Sequence, residues 1–216
     1  MARNLEKDAV EMAAKRENIL KAGFRLFSER GIEPITMNDV AREAGVGIAT
    51  LYRYYSTKPE LVMAVSTAGW SKYVQANDEW KNSPWLKLAT GAQRYEFFLN
   101  SFIALFRTNT DMLRFNQFFN IYVQAEKMDA DALNPYHRMI DAMRDRFHQV
   151  YEKGINDGTI RKDTEEHEMF TASLHIMLAT ATRFAIGLVY QPDGGSEDER
   201  ELEILKEMFM KRYTTV

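Results

Sequence analysis

The chain contains no cysteine. That excludes disulfides and thiolate metal sites and suits a reducing compartment. No alternating strand pattern stands out, and there is no internal repeat or low-complexity tract. The opening run MARNLEKDAVEMAAKREN is too charged for a signal peptide and lacks an apolar core, so a cytoplasmic location is expected. There is no glycine-rich phosphate loop and no local signature of a serine or cysteine nucleophile. Di-metal sites in helical bundles use paired Glu-x-x-His motifs, and this chain offers only Asp145-x-x-His148. The expectation is therefore no enzyme, no catalytic residue, no metal and no cofactor. Long hydrophobic runs are also scarce. The one exception, 169–189, holds His175 and Arg183 at interior positions. An arginine at bilayer depth costs roughly 2.5–3.5 kcal/mol on insertion scales, so a helix buried between protein surfaces is expected, with no membrane partner.

What is present is ordinary for a folded protein with a core: 216 residues, 45% hydrophobic and 27% charged. The net charge is −3. Residues 1–58 nevertheless carry ten Lys and Arg against eight Asp and Glu, leaving −5 on the remainder. A mildly basic head on an acidic body suits a module that touches phosphates at one end.

Apolar residues recur at helical spacing nearly throughout, with breakers between the runs. About nine helices are expected. The first runs from about residue 14 to Gly31, which should end it in the left-handed region. Residues 1–13 are expected to be a flexible arm. Thr36 with Asp39, Thr57 with Glu60, Thr90 with Gln93, Asp163 with Glu166 and Ser196 with Glu199 have capping-box spacing and open further helices. Asn134-Pro135 is expected to start another, 81–89 reads as a connector, and QPDGGS (191–196) as a flexible loop.

The most specific segment is TMNDVAREAGVGIATLYRYYSTK, residues 36–58. It reads as two short helices joined by a glycine turn, the layout of a helix-turn-helix. Val40, Ala44, Val46 and Leu51 would form the contact between the helices, and small Ala41 allows close approach. Gly45 permits positive φ. With Leu51 inward, the helical period sends Ile48, Ala49, Tyr52 and Arg53 outward. Ile48 and Ala49 suit thymine methyls, Arg53 suits guanine, and Tyr52 and Tyr54 suit phosphates. Thr36 and Lys58 lie at helix starts, where backbone N–H groups favour phosphate. Thr50 is placed for phosphate or capping. The competing reading is a plain helical corner, with Tyr54 and Tyr55 as core aromatics.

Residues 17–63 resemble the N-terminal domain of TetR-family transcriptional regulators. The resemblance is carried by Ile19-Leu20, Ala22, Phe24, Leu26-Phe27, Glu29, Gly31, Thr36, Val40-Ala41, Ala44-Gly45-Val46, Thr50-Leu51-Tyr52, Tyr54-Tyr55, Lys58 and Leu61. It implies an all-α protein: a three-helix DNA-binding domain over 1–58 and a ligand-binding and dimerisation bundle over 59–216. It also implies a homodimer on a near-palindromic double-stranded DNA operator, usually a repressor released by a small-molecule inducer. By matching position, Thr36, Thr50, Tyr52, Tyr54 and Lys58 would touch phosphate and groove. Two departures matter. Gly47 stands where the family often has serine, a loss of a few tenths of a kcal/mol in capping. Ile48 stands where a polar or basic residue is common, so base reading leans on methyl contacts and DNA shape.

In the body, residues 95–122 are dense in aromatics, interleaved with Asn116, Gln117, Asn120 and Gln124. A mostly apolar lining with a few polar anchors is the usual form of a ligand site; plain core packing is the alternative for each ring. The expected lining is Phe98, Phe102, Met112, Phe115, Asn116, Phe119, Asn120, Met143, Phe147, His175 and Arg183. His175 also reads as a core or interface histidine, and Arg183 as a charge paired across a dimer seam. The last two long helices are expected to form that seam. A regulator controlled by a protein partner, or an activator, is the alternative function.

Overall fold

The computed structural model describes residues 5–78, 84–188 and 196–215. Within these the chain is helical apart from turns, as the spacing of its apolar residues requires. The helices are α1 (Leu5–Arg30), α2 (Met37–Glu43), α3 (Ile48–Tyr54), α4 (Lys58–Asp78), α5 (Pro84–Leu88), α6 (Gly91–Thr108), α7 (Thr110–Glu126), α8 (Ala130–Asp157), α9 (Glu166–Ile186) and α10 (Ser196–Tyr213). The tenth helix beyond the expected nine is α5, a short turn of helix inside the expected connector. Helix α1 reaches back to Leu5, into the segment read as an arm, with exposed side chains over 9–18. Trp80, the expected end of the fourth helix, and residues 191–195 lie outside the described residues.

Contacts divide the chain into two compact units. One holds Met1–Tyr73 and Phe115–His137, the other Val74–Arg114 and Arg138–Val216. In the first, α1 packs on α2 and α2 on α3 around Ile19, Leu26, Phe27, Val40, Leu51 and Leu61, all under 5% exposed. Full burial of such side chains contributes roughly 1.5–3 kcal/mol each. Gly31 closes α1 with φ +82°.

In the second unit α6, α9 and α10 pack on one another. Tyr95, Phe147, Phe170, Leu99 and Met177 form their core. The Tyr95 hydroxyl lies 2.7 Å from Ser173 Oγ, which itself donates to the Met169 carbonyl, so the buried polar atoms are satisfied. The segment GINDGTI docks α8 on the start of α6. Gly91 N–H donates to Asp157 Oδ2 and Ala92 N–H to Thr159 Oγ1, both at 2.9 Å. These serve two of the orphan donors at a helix start, beside the Thr90–Gln93 capping box. A Cβ on Gly91 would stand 2.0 Å from Gly154 Cα, and one on Gly154 2.3 Å from the Ile160 side chain. Beyond α10, Thr214 forms an isolated antiparallel bridge with Ile160.

Two expected helix starts are corrected. Helix α8 begins at Ala130, where Asp129 Oδ1 accepts from Ala132 N–H, and Pro135 sits inside the helix near its start. Helix α9 has Glu165 at its cap with no side-chain hydrogen bond. Asp163 instead pairs with Arg161, and Glu166 accepts from the His148 ring at 2.9 Å. Glu166 found a partner 18 residues away and Asp163 one two residues away, and both pairings competed with the cap.

His148 therefore ties α8 to α9 through Glu166, with Glu152 at 3.5 Å from its other nitrogen. The Glu166 hydrogen bond and charge raise its pKa above the usual 6.5. Its contribution is fully present below the unfolded value near 6.5 and is lost as pH rises through the raised folded value. An NMR titration of the ring is expected to give a midpoint above that of a free histidine, and His148→Asn should return the thermal stability of the protein to one curve across that window. A His148 midpoint at or below the free value would contradict the pairing.

Candidate nucleic-acid interface

The helix-turn-helix is built by local chemistry. Asp39 N–H donates to Thr36 Oγ1 at 3.2 Å, and Thr36 N–H donates to Asp39 Oδ2 at 3.0 Å, closing the capping box of α2. The Thr36 hydroxyl also donates to that carboxylate at 2.6 Å, and these bonds hold the Asp39 carboxyl below its usual range. Gly45 makes the turn with φ +66°. Gly47 caps α3 with its backbone alone. At the start of α4, Glu60 N–H donates to Thr57 Oγ1, and the Glu60 carboxylate accepts from Ser56 N–H, one residue before the expected closure.

Inside the corner Val40 is 1% and Leu51 0% exposed. Outside it Ile48, Ala49, Tyr52 and Arg53 are exposed together along α3, with Tyr52 at 49%. Thr50 and Tyr54 are half-buried. The face therefore presents two small apolar groups near the helix start, then a phenol and a guanidinium, with Arg42 paired to Asp39 nearby in sequence.

Three partnerships were not legible in the sequence. The Tyr54 hydroxyl donates to the Met12 carbonyl at 3.2 Å, and Arg16 Nε donates to the Tyr55 hydroxyl at 3.2 Å. The α1 extension is thus fastened to the end of α3. Lys58 Nζ donates to the Glu33 carbonyl at 2.9 Å and stands over the Tyr122 ring at 5.5 Å. Thr36, expected free to reach phosphate, has its hydroxyl proton engaged by Asp39.

The expected ligand residues fall in both units. In the first, Phe115, Asn116 and Phe119 are buried and Asn120 is exposed; the Phe115 and Phe119 rings stack at 5.9 Å, and Phe119 meets Tyr136 at 5.3 Å. The Asn116 Oδ1 is buried without a hydrogen-bond partner. In the second, Phe98 meets Phe102 at 5.2 Å and Phe147 at 5.0 Å, Met112 is buried and Met143 half-buried. His175 and Arg183 do not join these rings: both are exposed on α9, along a stripe with Ile176, Ala179 and Ile186. Among the described residues no group of three or more His, Asp or Glu side chains is placed to hold a metal. Helix α9 is long and apolar enough to cross a membrane by length and composition, but 44% of its apolar window is buried within the protein.

An all-helical chain with a capped, glycine-turned corner and an outward aromatic and basic face is a helix-turn-helix protein. Residues 19–65 match the family model described as "Bacterial regulatory proteins, tetR family". An HTH-type transcriptional regulator of Staphylococcus aureus is 41% identical over 61 residues, which is 28% of this chain and 31% of that protein. The chain thus spans about a third of the length of that curated relative. Over nearly the whole chain the fold is like that of a TetR transcription regulator from Haloarcula marismortui, with TM-score 0.74, 18% identity, and 94% and 100% of the two chains covered. It is also like that of the transcriptional regulator FadR from Bacillus subtilis in complex with stearoyl-CoA, with TM-score 0.70, 13% identity, and 90% and 97% covered. Residues 19–65 thus carry a TetR-type N-terminal domain.

Proposed function

We propose that this protein is a sequence-specific, DNA-binding transcriptional regulator of the cytoplasm, a repressor whose operator binding is relieved by a small apolar or aromatic ligand. The observation that carries the reading is the exposed row Ile48, Ala49, Tyr52 and Arg53 on α3, which packs on the capped α2. A helix of that kind enters the major groove and reads base edges near its start. Residues 1–58 bind DNA, with Thr50 and Lys58 at phosphates, while the Thr36 and Tyr54 donors are spent on Asp39 and Met12; residues 59–216 form the ligand-binding and dimerisation body.

The homodimer reading is supported by the exposed face of α9 and by Ile204 and Met208 on α10, 41% and 61% exposed. A monomer would leave these in water. Two heads on a near-palindromic operator must sit about 34–36 Å apart to meet successive major grooves. A ligand that favours another spacing lowers affinity by its differential binding to the two states.

The ligand reading is supported by the buried, unpartnered Asn116 oxygen beside stacked rings. An unsatisfied buried acceptor costs about 1–3 kcal/mol, which a donor on a ligand would offset. That FadR structure, with the same fold, was solved with stearoyl-CoA. Thermal melts against a panel of acyl and aromatic metabolites are expected to reveal a compound that raises the midpoint, since a ligand of the native state must do so. The same compound should release DNA selected by the protein from a random pool. Selection of no DNA defeats the regulator reading; binders that leave operator affinity unchanged defeat induction alone.

A further inference from the structure

We propose that Tyr122 and the Glu33 carbonyl are positioning groups for Lys58, holding its ammonium at the first residue of α4 with one N–H left for a DNA phosphate. The proposal rests on the reading of Lys58 as a phosphate contact.

Lys58 Nζ donates to the Glu33 carbonyl at 2.9 Å and lies 5.5 Å from the centroid of the Tyr122 ring. An ammonium has three donors. The carbonyl takes one, and the negative face of the ring attracts the cation. A third remains. Burial works against the charged form of Lys58, and the nearby charges of Glu33 and Glu126 oppose that effect. Tyr122 is 3% exposed, and burial pushes its phenol up to about 12, so it presents a neutral ring.

The ring is itself fixed by a stripe along α7. Phe115 meets Phe24 of α1 at 5.6 Å. Phe118 lies 3.6 Å from where a Cβ on Gly31 would stand. Positions 115, 118 and 122 share one helical face, so α7 is laid against the DNA-binding head at three successive points, the last being Lys58. A lysine free in water must give up rotamer freedom to dock on phosphate, and one already held gives up less. The placement of α7 therefore bears on DNA affinity through a single side chain that never touches DNA.

The test measures operator affinity across a salt series, using DNA selected by the full chain. Lys58→Ala is expected to reduce the slope of log K against log salt by about 0.9 per head. Tyr122→Met should weaken binding about threefold to tenfold at low salt, and Tyr122→Phe, which keeps the ring, by less than about twofold. In a Lys58→Ala background Tyr122→Met should add nothing, whereas a merely structural role would weaken binding equally in both backgrounds. If Lys58→Ala leaves the slope unchanged, the phosphate reading fails. If it flattens the slope while Tyr122→Met leaves binding unchanged or tightens it, the positioning proposal alone fails. Should Tyr122→Met not fold, NMR of the unaltered protein decides. The Lys58 ε-methylene protons should be shifted upfield by the ring and stay so in the operator complex. Their return to ordinary positions on adding operator would show that DNA draws Lys58 away, and would overturn the proposal.

Discussion

The double substitution Tyr52→Ala, Arg53→Ala is expected to abolish specific operator binding while leaving the fold and the dimer intact. Both side chains are exposed on α3, so their removal leaves no cavity. Leu51, the residue that docks α3 on α2, is untouched and 0% exposed. An arginine that forks onto guanine is worth about 1–3 kcal/mol of discrimination. Two heads give roughly 2–6 kcal/mol, an affinity loss of about thirtyfold or more. Tyr52, as a phosphate contact, adds a part shared by all sequences. Fluorescence anisotropy on selected and scrambled DNA would separate the two: specific binding should fall toward the scrambled level, and circular dichroism should not change. Unaltered specificity would show that another face reads the bases.

Gly91→Ala is expected to have the largest effect on stability. A Cβ at this position would stand 2.0 Å from Gly154 Cα and 2.2 Å from its nitrogen, both backbone atoms with no rotamer to move. The start of α6 would have to withdraw from the last turn of α8. Withdrawal also strains the hydrogen bonds from Gly91 N–H to Asp157 and from Ala92 N–H to Thr159. Overpacking of this kind costs about 3 kcal/mol, which lowers the midpoint by roughly 6–12 °C in a chain of this size. A midpoint within about 1 °C of the unaltered protein would refute the close approach. Operator affinity at temperatures where the protein stays folded should change little.

The features that were legible in the sequence are those fixed by neighbours three or four residues away. The Thr36–Asp39 and Thr90–Gln93 capping boxes, the positive-φ turns at Gly31 and Gly45, and the outward row Ile48, Ala49, Tyr52 and Arg53 all follow from helical periodicity and local hydrogen bonding. Where a competing partner was available, near or far, the reading of helix starts failed. Asp163 and Glu166 have capping spacing, yet took Arg161 and His148. Asn134-Pro135 resembled a helix start, yet Asp129 capped the helix five residues earlier. The fate of His175 and Arg183 was hidden because α9 is apolar on more than one side, so periodicity did not single out its exposed stripe.

By itself, then, the sequence determined an all-helical chain with a glycine-turned corner and an outward row of side chains on α3, because each step of that inference spans one or two helical turns. Only the tertiary structure decided that Tyr54 holds Met12, that Gly91 rests on Gly154, and that Lys58 lies between Glu33 and Tyr122. Those contacts join residues 25 to 64 positions apart in sequence. Such pairings are set by how whole helices pack, and no local spacing encodes them.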